Sequence, residues 1–207
     1  MDQVWYASYG SNMSAARFGC YLYGGTPIGG TRRHPGCRDT RAPADDQALE
    51  LPGGVYFAGE SRNWTGGVAY YDPELTGTAY ARAYLVTGEQ FADVAAQETG
   101  REPGAEIDVA AVVRDGRLSL GPGGYETLLC LGERDGHPIV TFTAPYPAAA
   151  VEHTVPAAAY LRTLAEGLVQ SREWTPEKAA TYLVELSGVR GNWTAAEVTA
   201  LLPAATG

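Results

Sequence analysis

The stretch Val4 to Ser8 is short, apolar and aromatic, and it runs without a spacer into Tyr9-Gly10-Ser11-Asn12, a cluster with turn chemistry. It reads as a buried strand ending in a tight loop, and the rest of the chain has to fold around such a strand. Ser14 then precedes Ala15 to Tyr23, where Phe18, Tyr21 and Leu22 share one helical face before Gly24-Gly25 stops the run. Strand, polar loop and helix form the opening unit.

Residues 26 to 47 mix Gly, Pro and charge without a period and are expected to be an irregular surface excursion with no chemistry of its own. Strand-like pieces follow at Val55 to Gly59, Gly67 to Tyr71 and Thr78 to Val86. Thr87-Gly88-Glu89-Gln90 then has the spacing of a capping box, so a helix is expected to about Thr99. Its apolar stripe is Phe91, Val94 and Ala95, and Gly100 is placed to end it, which sets Glu98 in the last turn. Further strands are expected at Ile107 to Val113, Tyr125 to Leu131 and Pro138 to Thr143, with turns at Asp115-Gly116 and Asp135-Gly136.

After Pro156 the texture changes to helices. These are Ala157 to Ser171, Pro176 to Leu186 behind the cap Thr175, and a short one opened by the capping box Thr194 to Glu197. The sum is an α+β chain: a small mixed β-barrel, closed or nearly closed, with one embedded helix and a helical C-terminal tail. The expected division is a body over 1–170 and a helical extension over 171–207 packed on it.

A formal charge of −9, with no Lys/Arg-rich run, offers nucleic-acid phosphates and anionic membranes nothing to neutralise. Lys178 is the only lysine, and nothing in the spread of the arginines suggests a patch. Cys20, Cys37 and Cys130 are odd in number and widely spaced, which fits a reducing compartment. No apolar run approaches membrane-spanning length and the start lacks a signal-peptide pattern, so a soluble, cytoplasmic protein is expected, as a monomer or a homodimer. His34, His137 and His153 are scattered without metal-ligand spacing and are expected in surface or structural roles.

Two places carry candidate chemistry. The amides of the Tyr9 to Asn12 loop and the following turn make a site for a carboxylate or an oxyanion. From the residues alone the plainer account, in which Ser11 and Asn12 cap the next helix, is favoured. Glu98 stands at a helix C-terminus, where the macrodipole raises a carboxyl pKa and burial would raise it further. The plainer account there is a surface glutamate.

Ala7-Ser8-Tyr9-Gly10-Ser11-Asn12-Met13 resembles the F-A-Y-G-S-N-L signature of the γ-glutamylcyclotransferase-like family, with its AIG2-like and BtrG-like branches. Ser61-Arg62-Asn63-Trp64-Thr65-Gly66-Gly67-Val68-Ala69 is similar to that family's S-x-x-W-x-G-G-x-A segment. Phe91 to Glu98 is similar to its L-x-x-L-D-x-x-E helix, and Pro156 to Gly167, with Tyr160, to its P-x-x-x-Y helix. The resemblance implies a metal- and cofactor-independent, cyclising acyl transfer. Glu98 would be the catalytic base, and Tyr9, Gly10, Ser11 and Asn12 would bind a γ-glutamyl substrate. The products would be an amine and 5-oxoproline. A γ-glutamyl deprotection step on a biosynthetic intermediate shares that chemistry, and a non-catalytic module binding a small ligand is the alternative of another class. The family's Tyr shortly after the glutamate has no counterpart in Thr99-Gly100-Arg101, so the resemblance does not extend to glutathione as the substrate.

Overall fold

The computed structural model describes residues 2–28, 32–61 and 64–203; Arg62 and Asn63 of the tryptophan segment lie outside them. The opening strand β1 (Gln3–Ser8) is central to a six-stranded mixed sheet. On one side it pairs antiparallel with β5 (Thr78–Thr87), which in turn pairs with β2 (Asp45–Pro52) at the edge. On the other it pairs in parallel with β8 (His137–Thr143), followed by β7 (Thr127–Arg134) and the short β6 (Arg117–Ser119).

Because side chains alternate along a strand, β1 feeds two separate cores. Val4 and Tyr6 pack with Phe18, Phe91, Val94, Val112, Val140 and Phe142. That face is covered by α1 (Ala15–Tyr23), α2 (Gly88–Glu98) and α3 (Val109–Asp115). Trp5 and Ala7 pack with Leu161, Leu164, Leu168, Leu183 and Val198. Those leucines and valine belong to α4 (Ala158–Arg172), α5 (Pro176–Val184) and α6 (Ala195–Ala200), so these three helices form the second layer over the sheet.

The expected barrel does not close among the described residues. β3 (Gly54–Ala58) and β4 (Val68–Asp72) form a separate two-stranded sheet. Where a ladder would have to join β4 to β8, a side chain does so instead. The buried Thr143 hydroxyl accepts from the Tyr71 N–H (3.0 Å) and donates to the Tyr71 carbonyl (2.7 Å).

Two local expectations are corrected. Ile107 to Val113 is not a strand: Asp108 accepts from the Ala111 N–H as a helix cap, and Val109 and Val112, three apart, turn together into the core. Gly116, with φ +76°, ends that helix and is not a hairpin turn. The excursion over 26–47 contains the start of β2, and α2 anchors it. The carboxylate of Asp93, 0% exposed, accepts from the Arg38 side chain, the Arg38 N–H and the Gly104 N–H, while Gln90 donates to the Asp39 and Arg41 carbonyls. No helix among the described residues is long and apolar enough to cross a membrane.

Candidate active site

Two helix-end devices fix the position of Glu98. At the start of α2 the Thr87 hydroxyl accepts from the Gln90 N–H while the Gln90 side chain accepts from the Thr87 N–H. At its end the Gly100 N–H donates to the Gln97 carbonyl and the Arg101 N–H to the Ala96 carbonyl, a Schellman arrangement that Gly100 permits at φ +77°. Glu98 is thereby the last helical residue, half-buried.

The loop after β1 meets it from the other side. Ser11–Met13 is a single 3₁₀ turn with no side-chain cap, and Ser14 ahead of α1 makes none either. The capping account of Ser11 and Asn12 is thus set aside by geometry. The Asn12 side chain, 3% exposed, donates from Nδ2 to Glu98 Oε1 (3.2 Å) and to the Tyr6 hydroxyl (3.2 Å). Its Oδ1 is buried without a partner among the described residues. Gly10 has φ −114°, so the turn itself does not require glycine; a Cβ there would stand 3.4 Å from the Tyr160 hydroxyl. The Tyr9 hydroxyl donates to the Phe142 carbonyl (2.7 Å), which makes Tyr9 a wall whose polar end is already committed.

Between loop and helix lies a nook of about 20 Å³, lined by Tyr6, Tyr9, Gly10, Ser11, Asn12 and Glu98. That is room for about one water-sized atom. Ser11, Glu98 and Tyr125 also line a cleft of about 390 Å³, within the usual size of small-molecule sites. The five residues singled out from the sequence, Glu98 and Tyr9 to Asn12, are thus brought together.

Several others were not foreseen. Arg17 of α1 is 5% exposed and lines the cleft. It donates to the Tyr21 hydroxyl (3.3 Å), approaches His34 Nε2 (3.2 Å) and Ser11 Oγ (3.5 Å), and lies over the Trp64 ring at 5.5 Å. No ion pair among the described residues includes it. Burial and the Arg17 charge hold His34 down to about 4, so its ring stays neutral and accepts from the guanidinium. Arg32, from the excursion assigned no chemistry, lines the same cleft, so two arginines do converge, contrary to expectation. Arg17 is a single charge on a polar helix position, and no local pattern marks it.

Burial pushes the Glu98 carboxyl above its ordinary 4.5; the Arg17 charge and hydrogen bonds from Tyr21 and Asn12 pull the other way. Tyr125 holds a left-handed backbone at φ +63° and donates to the Ala69 carbonyl (2.8 Å). That conformation is uncommon for a residue other than glycine and costs on the order of 1–3 kcal/mol. Trp64 stacks on Tyr160 at 5.8 Å, and a Cβ on the adjoining Gly66 or Gly67 would run into the Val155 or Thr154 carbonyl. Among the described residues no group of three or more His, Cys, Asp or Glu is arranged to hold a metal ion.

No protein-family model matches the chain. It is 33% identical over 198 residues to histone deacetylase 5 of Arabidopsis thaliana, covering 87% of this chain and 30% of that relative's length. Among solved structures it is similar to a gamma-glutamyl cyclotransferase at 12% identity and a TM-score of 0.50, over 97% of this chain and 98% of that one. A human protein described as uncharacterized matches at 11% identity and a TM-score of 0.50, over the same shares. At such identities the likeness shows the fold: this chain has the α+β fold of a gamma-glutamyl cyclotransferase.

Proposed function

We propose that the chain cleaves a γ-glutamyl amide by internal acyl transfer, releasing an amine and 5-oxoproline, with Glu98 as the general base. The observation that carries this reading is the juxtaposition of Glu98, its pKa raised by burial, with the Gly10 to Asn12 turn around a nook one oxygen atom in size. A base with an elevated pKa is closer to the operating pH and so better matched to moving a proton in both directions.

Glu98 takes a proton from the substrate's α-ammonium, and the freed amine attacks its own γ-carbonyl. The oxygen that becomes negative occupies the nook, which the 3₁₀ turn Ser11–Met13 borders; the first N–H groups of such a turn have no acceptor within it and are the donors this role calls for. The new C–N bond closes the five-membered ring and the amide C–N bond breaks. The attacking nitrogen loses two protons in all: one passes through Glu98 to the departing nitrogen and the other goes to solvent, from which the released amine takes its second. Nucleophile and electrophile share one molecule, so holding the near-attack geometry supplies much of the rate. The partnerless Asn12 Oδ1 can accept from the α-ammonium. Arg17, a buried cation without a carboxylate partner among the described ion pairs, provides the charge for the substrate's α-carboxylate.

A γ-glutamyl deprotection step uses the same groups and differs in the leaving amine. The name of the Arabidopsis relative describes a chain of which this one spans 30%, and its activity is not carried over. The test is 5-oxoproline release from a panel of γ-glutamyl amides by wild type and Glu98→Gln. Turnover should fall about 10²–10⁴-fold with substrate binding retained. Wild-type protein that binds such amides and releases no 5-oxoproline would instead be a binding module.

A further inference from the structure

A second, larger cavity, of about 800 Å³, lies between α1 and α4. Cys20, Ile28, Ala159, Val169 and Leu202 give it mostly apolar walls, and the charges of Arg162 and Glu166 along it are paired with each other at 2.8 Å. Ile28 is an apolar side chain left 94% exposed among the described residues. Arg17 and Trp64 line both this groove and the reaction cleft, so the two adjoin at those side chains.

The direction in which a substrate lies follows from the nook. Its back is closed by the buried side chains of Tyr6, Tyr9 and Phe142. A γ-glutamyl amide whose carbonyl oxygen enters there has to point its amine substituent the other way, out along the cleft that Arg17 and Trp64 border. Beyond those two residues the exposed surface of the walls is mostly apolar, and the two charges there, Arg162 and Glu166, are paired with each other. A charged or polyhydroxylated substituent would give up hydration there for few partners, whereas an alkyl or aryl one gains by leaving water.

Resting on the reaction proposed above, we infer that this groove receives the departing amine, and that the substrates are γ-glutamyl amides of apolar alkyl or arylalkyl amines. The ammonium end of the released amine lies toward Glu98 and its apolar end between α1 and α4.

The first test needs no turnover. Cys20 is a free, half-exposed thiol in the groove, and Cys130 is a free, half-exposed thiol outside it. With 4-phenylbutylamine as the probe, alkylation by iodoacetamide followed by peptide mass spectrometry should slow at Cys20 and stay unchanged at Cys130, with ethylamine protecting neither. The second compares 5-oxoproline release from γ-glutamyl-4-phenylbutylamide and γ-glutamyl-ethylamide, where kcat/KM should favour the first by about tenfold or more. Ala159→Trp and Gln170→Trp, both at exposed positions of α4, should each bring that ratio close to one. An unprotected Cys20, or equal kcat/KM for the two amides, overturns the groove assignment whether or not the reaction holds. Protection of Cys20 with no turnover of either amide supports an apolar-amine site and removes the reaction instead.

Discussion

Replacing Thr143 with Val deletes the hydroxyl that joins β4 of the β3–β4 hairpin to β8 while keeping the shape of the side chain; the Tyr71 hydroxyl, which reaches the Pro52 carbonyl of β2, is left in place. In the wild type that hydroxyl accepts from the Tyr71 N–H at 3.0 Å and donates to the Tyr71 carbonyl at 2.7 Å, and both residues are buried. The valine offers neither bond, so two backbone groups lose their partner away from water, at about 1–3 kcal/mol each. For a chain of this size each kcal/mol lowers Tm by roughly 2–4 °C, which puts the fall near 10 °C. Thr143→Ser keeps both bonds and loses one buried methyl, about 0.8 kcal/mol, so its Tm should lie within roughly 3 °C of wild type. Differential scanning calorimetry of the three proteins separates the cases. If Val and Ser variants melt together, or Val melts within about 2 °C of wild type, the hydroxyl is not what joins hairpin to sheet.

Glu98→Gln should be more stable than wild type at neutral pH. A carboxyl whose folded pKa is raised gives stability that is fully present below its ordinary 4.5 and is lost as pH rises through the folded value. Gln does not lose it, so thermal melts should show a gain at neutral pH that disappears below 4.5; a gain independent of pH would refute this. Gly167→Ala should lower kcat for 5-oxoproline release more than it lowers Tm. A Cβ on α4 there would stand 2.6 Å from Met13 Cβ and 2.9 Å from the Ser14 N, pressing on the segment that carries Asn12. Helix propensity alone, worth about 1 kcal/mol in the opposite direction, would give a more stable and equally active variant.

Elements whose boundaries rest on local chemistry were legible in the sequence. The run Ala15–Tyr23 is a helix as expected, the Thr87 and Thr194 capping boxes both form, and Asp135-Gly136 makes its hairpin with φ of 51° and 78°. Patterns that serve two periods were not. Val109 to Val113 is rich in β-branched residues, yet Asp108 caps it as a helix. The strand Asp45–Pro52 is an edge strand that buries little beyond Leu49 and Leu51, so its charged residues read as loop. Barrel closure depends on whether β4 meets β8 by backbone or by a side chain, a matter of tertiary placement. At the site, the helix-end position of Glu98 could be read from Gly100, whereas its partner Asn12 lies 86 residues away. Arg17 and His34 meet because the excursion folds back on the end of α1, through the paired backbone bonds of Gly25 with His34, and is pinned to α2 through Asp93 and Gln90. Neither the long reach of Asn12 nor the burial of Arg17 has a local signature.

The most direct test of Glu98 as the base combines two titrations on the intact chain. One is the acid limb of kcat/KM for 5-oxoproline release from a γ-glutamyl amide, and the other is the ¹³C shift of the Glu98 carboxyl, assigned by comparison with Glu98→Gln. The expected result is a single apparent pKa, above 4.5, in both. A Glu98 carboxyl that titrates below 4.5, or a rate that follows some other group, contradicts it.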